Sequence, residues 1–140
     1  MIRAILFDKD GTLIDFDLTW GPAVYEVMRA LARGDRAALE RVMAASHYVE
    51  DERRFLPSSP VVAGSSADYG PAWAEALGRV PDDDFFREMD DLFRVWGLHS
   101  LSPIGEPLAL LQALAGRGLA IGIATNDAEA SARAQAEARG

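Results

Sequence analysis

Apolar positions divide the chain into segments of two kinds. The run 1–7 is apolar except for Arg3, and a second apolar run covers residues 119–124. Short continuous runs of this type are typical of strands covered on both faces in a parallel sheet. The stretch 107–117 carries leucines at helical spacing and ends near two glycines, which predicts a helix. Strand, helix and strand together predict an α/β domain.

The intervening segment 17–100 has helical periodicity. Four apolar residues between positions 24 and 31 recur at i, i+3, i+4 and i+7, after helix-start signals at Thr19 and Pro22 and before Gly34. This pattern predicts an amphipathic helix. Further helices are predicted after the cap residue Asp35, over 67–77, after Pro81 and over 128–139, with loops at 57–66 and 100–105. The layout predicts an α/β core formed by 1–16 and 101–140, split by a helical insertion at 17–100.

Composition narrows the class of protein. The 140 residues are 49% hydrophobic and 26% charged, which is ordinary usage for one folded domain. The absence of cysteine excludes disulfides, thiolate catalysis and cysteine-based zinc sites, and it favours a cytoplasmic location. The net charge of −8 argues against nucleic-acid binding. No signal peptide or membrane span is visible, because the first apolar run is short and ends in acidic residues.

Two carboxylates follow the first predicted strand directly. Asp8 and Asp10 lie at its carboxyl end, where open α/β sheets place their ligand sites. A carboxylate there can attack phosphorus and form an aspartyl-phosphate, and a second can protonate the leaving oxygen and then activate water. Gly11 allows a sharp turn and offers an N–H to a phosphate. Because the two carboxylates repel each other and a phosphate, Mg²⁺ is the expected cofactor.

These residues resemble a known family. Residues 8–13, Asp-Lys-Asp-Gly-Thr-Leu, are similar to the first signature of the haloacid-dehalogenase-like hydrolases. Residues 121–126, Ile-Gly-Ile-Ala-Thr-Asn, are similar to the second signature, an apolar strand that ends in Thr or Ser. The resemblance implies a Rossmann-like parallel-sheet core with an inserted helical cap, as in the phosphoglycolate-phosphatase-like group.

The resemblance also implies residue roles. Asp8 would be the nucleophile and a Mg²⁺ ligand through its side chain. Asp10 would be the general acid and base and a Mg²⁺ ligand through its carbonyl. Thr125 would hydrogen-bond the phosphoryl group, and Asn126 would orient the phosphate or the substrate. Because family members that dehalogenate lack the second carboxylate, the expected activity is Mg²⁺-dependent hydrolysis of a small phosphorylated metabolite.

The chain also departs from the family pattern. Family members continue with a lysine and then an acidic motif, and neither follows Asn126. We therefore expect a fragment of a longer phosphatase, with one edge of the strand 2–7 left unpaired and open to self-association. The alternatives are a catalytically inactive module that binds phosphate or a partner, and a phosphomutase.

Four side chains near these motifs or in the insertion have less specific interpretations. Lys9 is interpreted as structural or electrostatic and is expected to point away from the site. Trp20 either lines the site entrance or packs at the hinge of the insertion. Arg53 and Arg54 are interpreted as a solvated pair, with recognition of a substrate charge as the alternative.

Overall fold

Two parallel strands and a group of helices make up the computed structural model, which describes residues 1–125 and 129–138. In chain order the elements are β1 Ala4–Asp8, α1 Phe16–Ala32, α2 Arg36–Ala45, β2 Tyr48–Val49, β3 Arg54–Phe55, α3 Pro60–Ala63, α4 Ser66–Leu77, α5 Asp83–His99, α6 Pro107–Gly116, β4 Ala120–Ala124 and α7 Glu129–Ala138. Within these ranges, no helix is long and apolar enough to cross a membrane.

The strands β1 and β4 pair in parallel, with Ala4 opposite Ala120 and Asp8 opposite Ala124. The predicted α/β arrangement is therefore confirmed, but the predicted burial of these strands is wrong. Neither strand contains a buried residue, and Leu6 is 70% exposed. The physical reason is thin cover, since the described sheet has only two strands and the adjacent helix α6 has no buried residue.

The hydrophobic core lies in the helical part. Its buried residues run from Trp20 to Phe93 along the chain, and α1 packs against α5 and α2 while α2 packs against α4. Trp73, Phe85 and Met28 are fully buried there. Burying a side chain of this size contributes roughly 1.5–3 kcal/mol, so most of the hydrophobic stabilisation of the described chain resides in these helices.

The first helix begins three residues before the predicted start. Asp15 caps α1, because its carboxylate accepts a hydrogen bond from the backbone N–H of Leu18 at 2.9 Å. The helix therefore starts at Phe16 rather than Thr19, and Pro22 lies inside it. The predicted cap at Asp35 is confirmed by a 3.2 Å bond from the N–H of residue 38 to its carboxylate.

Three short elements were not predicted. The strands β2 and β3 form an antiparallel hairpin of two residues each. The predicted loop 57–66 contains α3, which Ser59 caps by accepting a hydrogen bond from the N–H of Val61 at 3.1 Å. Such brief elements lack the periodicity that identifies longer ones.

Hydrogen bonds join the two chain segments that connect strands and helices. The N–H of Asp15 donates to the carbonyl of Ser102 at 2.8 Å, and the N–H of Ile104 donates to the carbonyl of Leu13 at 2.9 Å. The buried hydroxyl of Thr19 accepts from the N–H of Ser102 at 3.0 Å. These contacts fix where α1 leaves the strand region. The division into 1–16 with 101–140 and 17–100 stays a prediction.

Candidate active site

The loop after β1 turns back on itself beside the strand end. Asp8 is the last residue of β1 and is exposed. Gly11 has φ of +86°, a conformation that glycine adopts readily and other residues avoid. Its N–H donates to the carbonyl of Ile14 at 2.7 Å. The sharp turn expected at Gly11 is therefore present, but the N–H expected to face a phosphate is engaged within the loop.

The Asp10 carboxylate is contacted from three directions. Its Oδ1 accepts a hydrogen bond from the indole Nε1 of Trp20 at 2.7 Å and lies 3.6 Å from the Lys9 ammonium. Its Oδ2 accepts a hydrogen bond from the hydroxyl of Thr125 at 3.2 Å. The side chain remains 21% exposed. Hydrogen bonds to a carboxylate are stronger than neutral ones, so these contacts orient Asp10 while leaving it accessible.

Strand pairing brings the second motif to the first. Asp8 pairs with Ala124, and the N–H of Lys9 donates to the carbonyl of Ala124 at 3.1 Å. Thr125 follows directly and therefore lies beside Asp10, although the two residues are 115 positions apart in sequence. The structure thus brings Asp8, Asp10 and Thr125 together. Asn126, predicted to orient the phosphate or the substrate, lies outside the described residues.

Lys9, the only lysine in the sequence, was expected to point away from the site, and its ammonium lies 3.6 Å from Oδ1 of Asp10. It is 1% exposed, and its ammonium lies 5.2 Å from the centre of the Trp20 ring. It donates a hydrogen bond to Oε1 of Gln135 on α7. The amide nitrogen of Gln135, which is also buried, donates to the carbonyl of Gly97 on α5 at 3.0 Å. Lys9 therefore links the motif to two helices.

Close packing at Gly97 holds the Trp20 ring in place. A Cβ atom added at Gly97 would lie 2.6 Å from two atoms of that ring and 3.1 Å from the amide nitrogen of Gln135. Only glycine allows α1 and α5 to approach this closely here. Sequence reasoning found neither Gly97 nor Gln135, because each acts through contacts with residues distant in sequence.

A cavity of about 440 Å³ opens beside the two carboxylates. Asp8 and Asp10 line this cavity together with residues of the helical part. The described wall residues from the helical part are Phe16, Asp17, Trp20, Val24, Val61, Val62, Gly64, Tyr69 and Phe93. Of the two roles weighed for Trp20, the structure shows that this residue lines the cavity, and its ring also packs against Phe93 of α5.

Arg53 and Arg54 do not line the cavity. The guanidinium of Arg53 stacks on the ring of Tyr25, with 3.6 Å from its central carbon to the ring centre. Arg54 forms an ion pair with Glu52. Both arginines are thus engaged on the β2–β3 hairpin.

The donor set at the strand end suits a hard divalent cation. Asp8 and Asp10 supply carboxylate oxygens on the wall of one cavity. Among the described residues, no group of three or more His, Asp or Glu side chains converges on one point. Mg²⁺ needs only one or two protein carboxylates, with water and phosphate oxygens completing its shell. The Asp8 carboxylate and the backbone carbonyl of Asp10, the two ligands that the family resemblance implies, fit that requirement.

The comparisons with known proteins agree with this geometry. A family model described as haloacid dehalogenase-like hydrolase matches residues 2–140. The chain therefore belongs to the haloacid dehalogenase-like hydrolases, which confirms the resemblance and the α/β fold class. It is similar to a phosphoglycolate phosphatase of Rhodospirillum rubrum, with 33% identity over 147 residues that cover 100% of this chain and 54% of the relative. The chain thus spans about half the length of that relative.

Proposed function

We propose that the chain carries the nucleophile end of a Mg²⁺-dependent phosphatase that hydrolyses a small phosphorylated metabolite through an aspartyl-phosphate. The observation that carries the proposal is the placement of Asp8 and Asp10 on one cavity wall, with Thr125 bonded to Asp10. The similarity to a phosphoglycolate phosphatase supports phosphate-ester hydrolysis over dehalogenation.

In the first step, a carboxylate oxygen of Asp8 attacks the phosphorus of the ester. The bond between phosphorus and the ester oxygen breaks, and Asp10, in its protonated form, transfers its proton to the departing oxygen. The products are the free alcohol and an aspartyl-phosphate on Asp8. Trp20 and Thr125 donate hydrogen bonds to the two oxygens of Asp10 and so fix the orientation of its carboxyl group.

In the second step, water hydrolyses the aspartyl-phosphate. Asp10, now a carboxylate, takes a proton from the water molecule while the water oxygen attacks phosphorus. The bond between phosphorus and the Asp8 oxygen breaks, phosphate leaves, and both carboxyl groups return to their starting states.

Asp8, through its carboxylate, and Asp10, through its backbone carbonyl, are the residues that would hold Mg²⁺. When bound, the cation neutralises charge between carboxylate and phosphate and stabilises the charge that develops on the phosphoryl oxygens. The helical part, proposed as a cap over residues 17–100, would exclude water from the cavity and select the substrate. We place this activity in the cytoplasm, in line with a chain that lacks cysteine.

Phosphate release tests the proposal. The 140-residue chain is assayed on p-nitrophenyl phosphate with Mg²⁺ and with a chelator, beside Asp8→Asn and the matched variant Asp17→Asn. Asp17 also lines the cavity but lies in α1. We expect Mg²⁺-dependent release that Asp8→Asn abolishes and Asp17→Asn retains. Release that survives in Asp8→Asn, or needs no Mg²⁺, would contradict the proposal. A binding module without turnover would give no release from any variant.

We also propose self-association through the free edge of β1. In the described part of the chain β1 pairs only with β4, and Leu6 is 70% exposed. An unpaired apolar edge can pair with another chain. Sedimentation velocity over a concentration series should show a dimer that Leu6→Lys weakens. A chain that stays monomeric at all concentrations would exclude this contact.

A further inference from the structure

Beyond Asp8, Asp10 and Asp17, the described wall of the candidate cavity is lined mainly by apolar side chains. Trp20 and Phe93 meet at a ring separation of 6.0 Å, and Tyr69 lies 6.1 Å from Phe93, so three aromatic rings are grouped on one side. Val61 and Val62 on α3 add aliphatic surface. Ligand sites of this size bind mainly through such surfaces, with a few polar groups fixing orientation.

Charge on the described wall is only negative. Apart from Asp8 and Asp10, the charged member is Asp17, and no described wall residue is Lys, Arg or His. Lys9 is buried behind Asp10 and lines a different cavity. With Mg²⁺ proposed at Asp8 and Asp10, a second carboxylate of the substrate would meet Asp17 and no described cationic side chain on the remaining wall. Desolvating an unpaired carboxylate is costly, and like charges add repulsion.

We propose that the substrate is a phosphate monoester whose alcohol part is uncharged and apolar, and that carboxylated esters such as phosphoglycolate are disfavoured. This inference rests on the proposed phosphatase function and names its substrate class. The phosphoryl group lies at the Asp8 end of the cavity, and the alcohol part contacts the aromatic and aliphatic wall. Burial of that apolar surface supplies the binding preference.

Among the apolar residues of the described wall, Val62 is the exposed one, so a substitution there should disturb the core little. It is 41% exposed, whereas its neighbour Val61 is 8% exposed and belongs to the hydrophobic core. A cation introduced at Val62 would supply what a carboxylated substrate lacks. Val80 provides the matched control, because it is 71% exposed and does not line the cavity.

Turnover of two esters tests the inference. We compare kcat/KM for n-butyl phosphate and phosphoglycolate with Mg²⁺ in the wild type, Val62→Arg, Val62→Gln and Val80→Arg. Butanol is no better a leaving group than glycolate, so a preference for the butyl ester reports binding. We expect that preference in the wild type, a shift toward phosphoglycolate on the order of tenfold in Val62→Arg, and none in Val80→Arg. Val62→Gln should lower kcat/KM for n-butyl phosphate without raising kcat/KM for phosphoglycolate.

Binding of analogues that are not hydrolysed tests the inference independently of catalytic activity. Calorimetry compares n-propylphosphonate with phosphonoacetate, neither of which is hydrolysed. Tighter binding of the propyl compound supports the inference, and tighter or equal binding of the carboxylated compound overturns it, as does an unshifted ratio in Val62→Arg. Absence of turnover with either ester would contradict the phosphatase proposal alone. A wild type that turns over phosphoglycolate in preference to the butyl ester would uphold that proposal and overturn this inference.

Discussion

The helical part and the strand region of this chain differ in how deeply their side chains are buried. The helical part encloses a continuous core in which residues such as Trp73 and Phe85 are fully buried. The two strands contain no buried residue, although they carry Asp8 and lead directly to Asp10 and Thr125. The difference indicates that contacts from the helices help to hold the motif in place, among them Trp20 on Asp10 and Gln135 on Lys9.

The same substitution in the two regions gives the largest expected contrast. Leu39 is 5% exposed in the helical core and Leu6 is 70% exposed on β1. Leu39→Ala should lower the free energy of unfolding by about 2–5 kcal/mol, because it removes buried methyl groups and leaves a cavity. Leu6→Ala should change it by less than about 0.5 kcal/mol. Urea unfolding measures both, and equal losses would mean that the strand region is packed as tightly as the helices.

Substitution of two glycines tests how tightly the helices pack around Trp20, the residue that contacts Asp10 of the motif. Gly97→Ala places a methyl group 2.6 Å from the Trp20 ring, and overpacking of this kind should destabilise the fold by about 1–3 kcal/mol. Gly116→Ala meets no atom within 4 Å at the end of α6 and should be neutral or stabilising by up to about 1 kcal/mol. Thermal unfolding of the two variants tests this difference. If Gly97→Ala does not destabilise the fold, Trp20 has room to move.

We expect Trp20 to position Asp10, so that its removal affects turnover more than binding. Trp20→Phe keeps a ring but deletes the N–H that bonds Oδ1 of Asp10 at 2.7 Å. We expect kcat on p-nitrophenyl phosphate to fall on the order of tenfold, the equivalent of about 1.4 kcal/mol, with a smaller change in KM. Trp96→Phe, whose ring packs against His99, is the control. Equal effects of the two variants on kcat would argue against positioning.

The smallest expected effect concerns an ion pair of the helical part. The hydrogen bond from Arg79, at 2.7 Å, and a second from Arg33 hold the pKa of Glu88 below its ordinary value. A lowered folded-state pKa stabilises the fold above the ordinary pKa of glutamate, and this stability is lost as pH falls through the folded-state value. Glu88→Gln should therefore cost less than about 1 kcal/mol at neutral pH and nothing in acid.

Unfolding measured at neutral pH and at about pH 3 checks this ion pair. In an Arg79→Gln background, Glu88→Gln should lower the free energy of unfolding by less, because the principal partner of Glu88 has been removed. A difference that grows in acid would contradict the assignment.

Local patterns in the sequence predicted much of the framework. The two strands, the cap at Asp35 and most helix bounds followed from periodicity and capping residues, which are properties of neighbouring positions. Burial of the strands could not be predicted, because it depends on how many elements cover the sheet. The predicted start of α1 missed Asp15, since Thr19 and Asp15 carry equivalent capping chemistry.

The candidate site likewise contains residues that the sequence predicted and residues that it did not. Asp8, Asp10 and Thr125 were predicted from motifs at the ends of apolar runs, and the structure brings them together, while their chemical roles stay predictions. The contact of Gln135 with Lys9 joins residues 126 positions apart. Contacts of that kind depend on how helices pack and leave no trace in local sequence, least of all in an alanine-rich helix such as α7.

The most direct test of the central claim is to trap a phosphoryl group on Asp8. The Asp10→Asn variant is mixed with p-nitrophenyl phosphate and Mg²⁺, quenched in acid, digested and mapped by mass spectrometry. The leaving p-nitrophenolate needs no proton, so the first step proceeds, while the second step lacks its base. We predict phosphorylation of the peptide that contains Asp8. Release of p-nitrophenol by the wild type, with no phosphoryl group on Asp8 in either protein, would contradict the account.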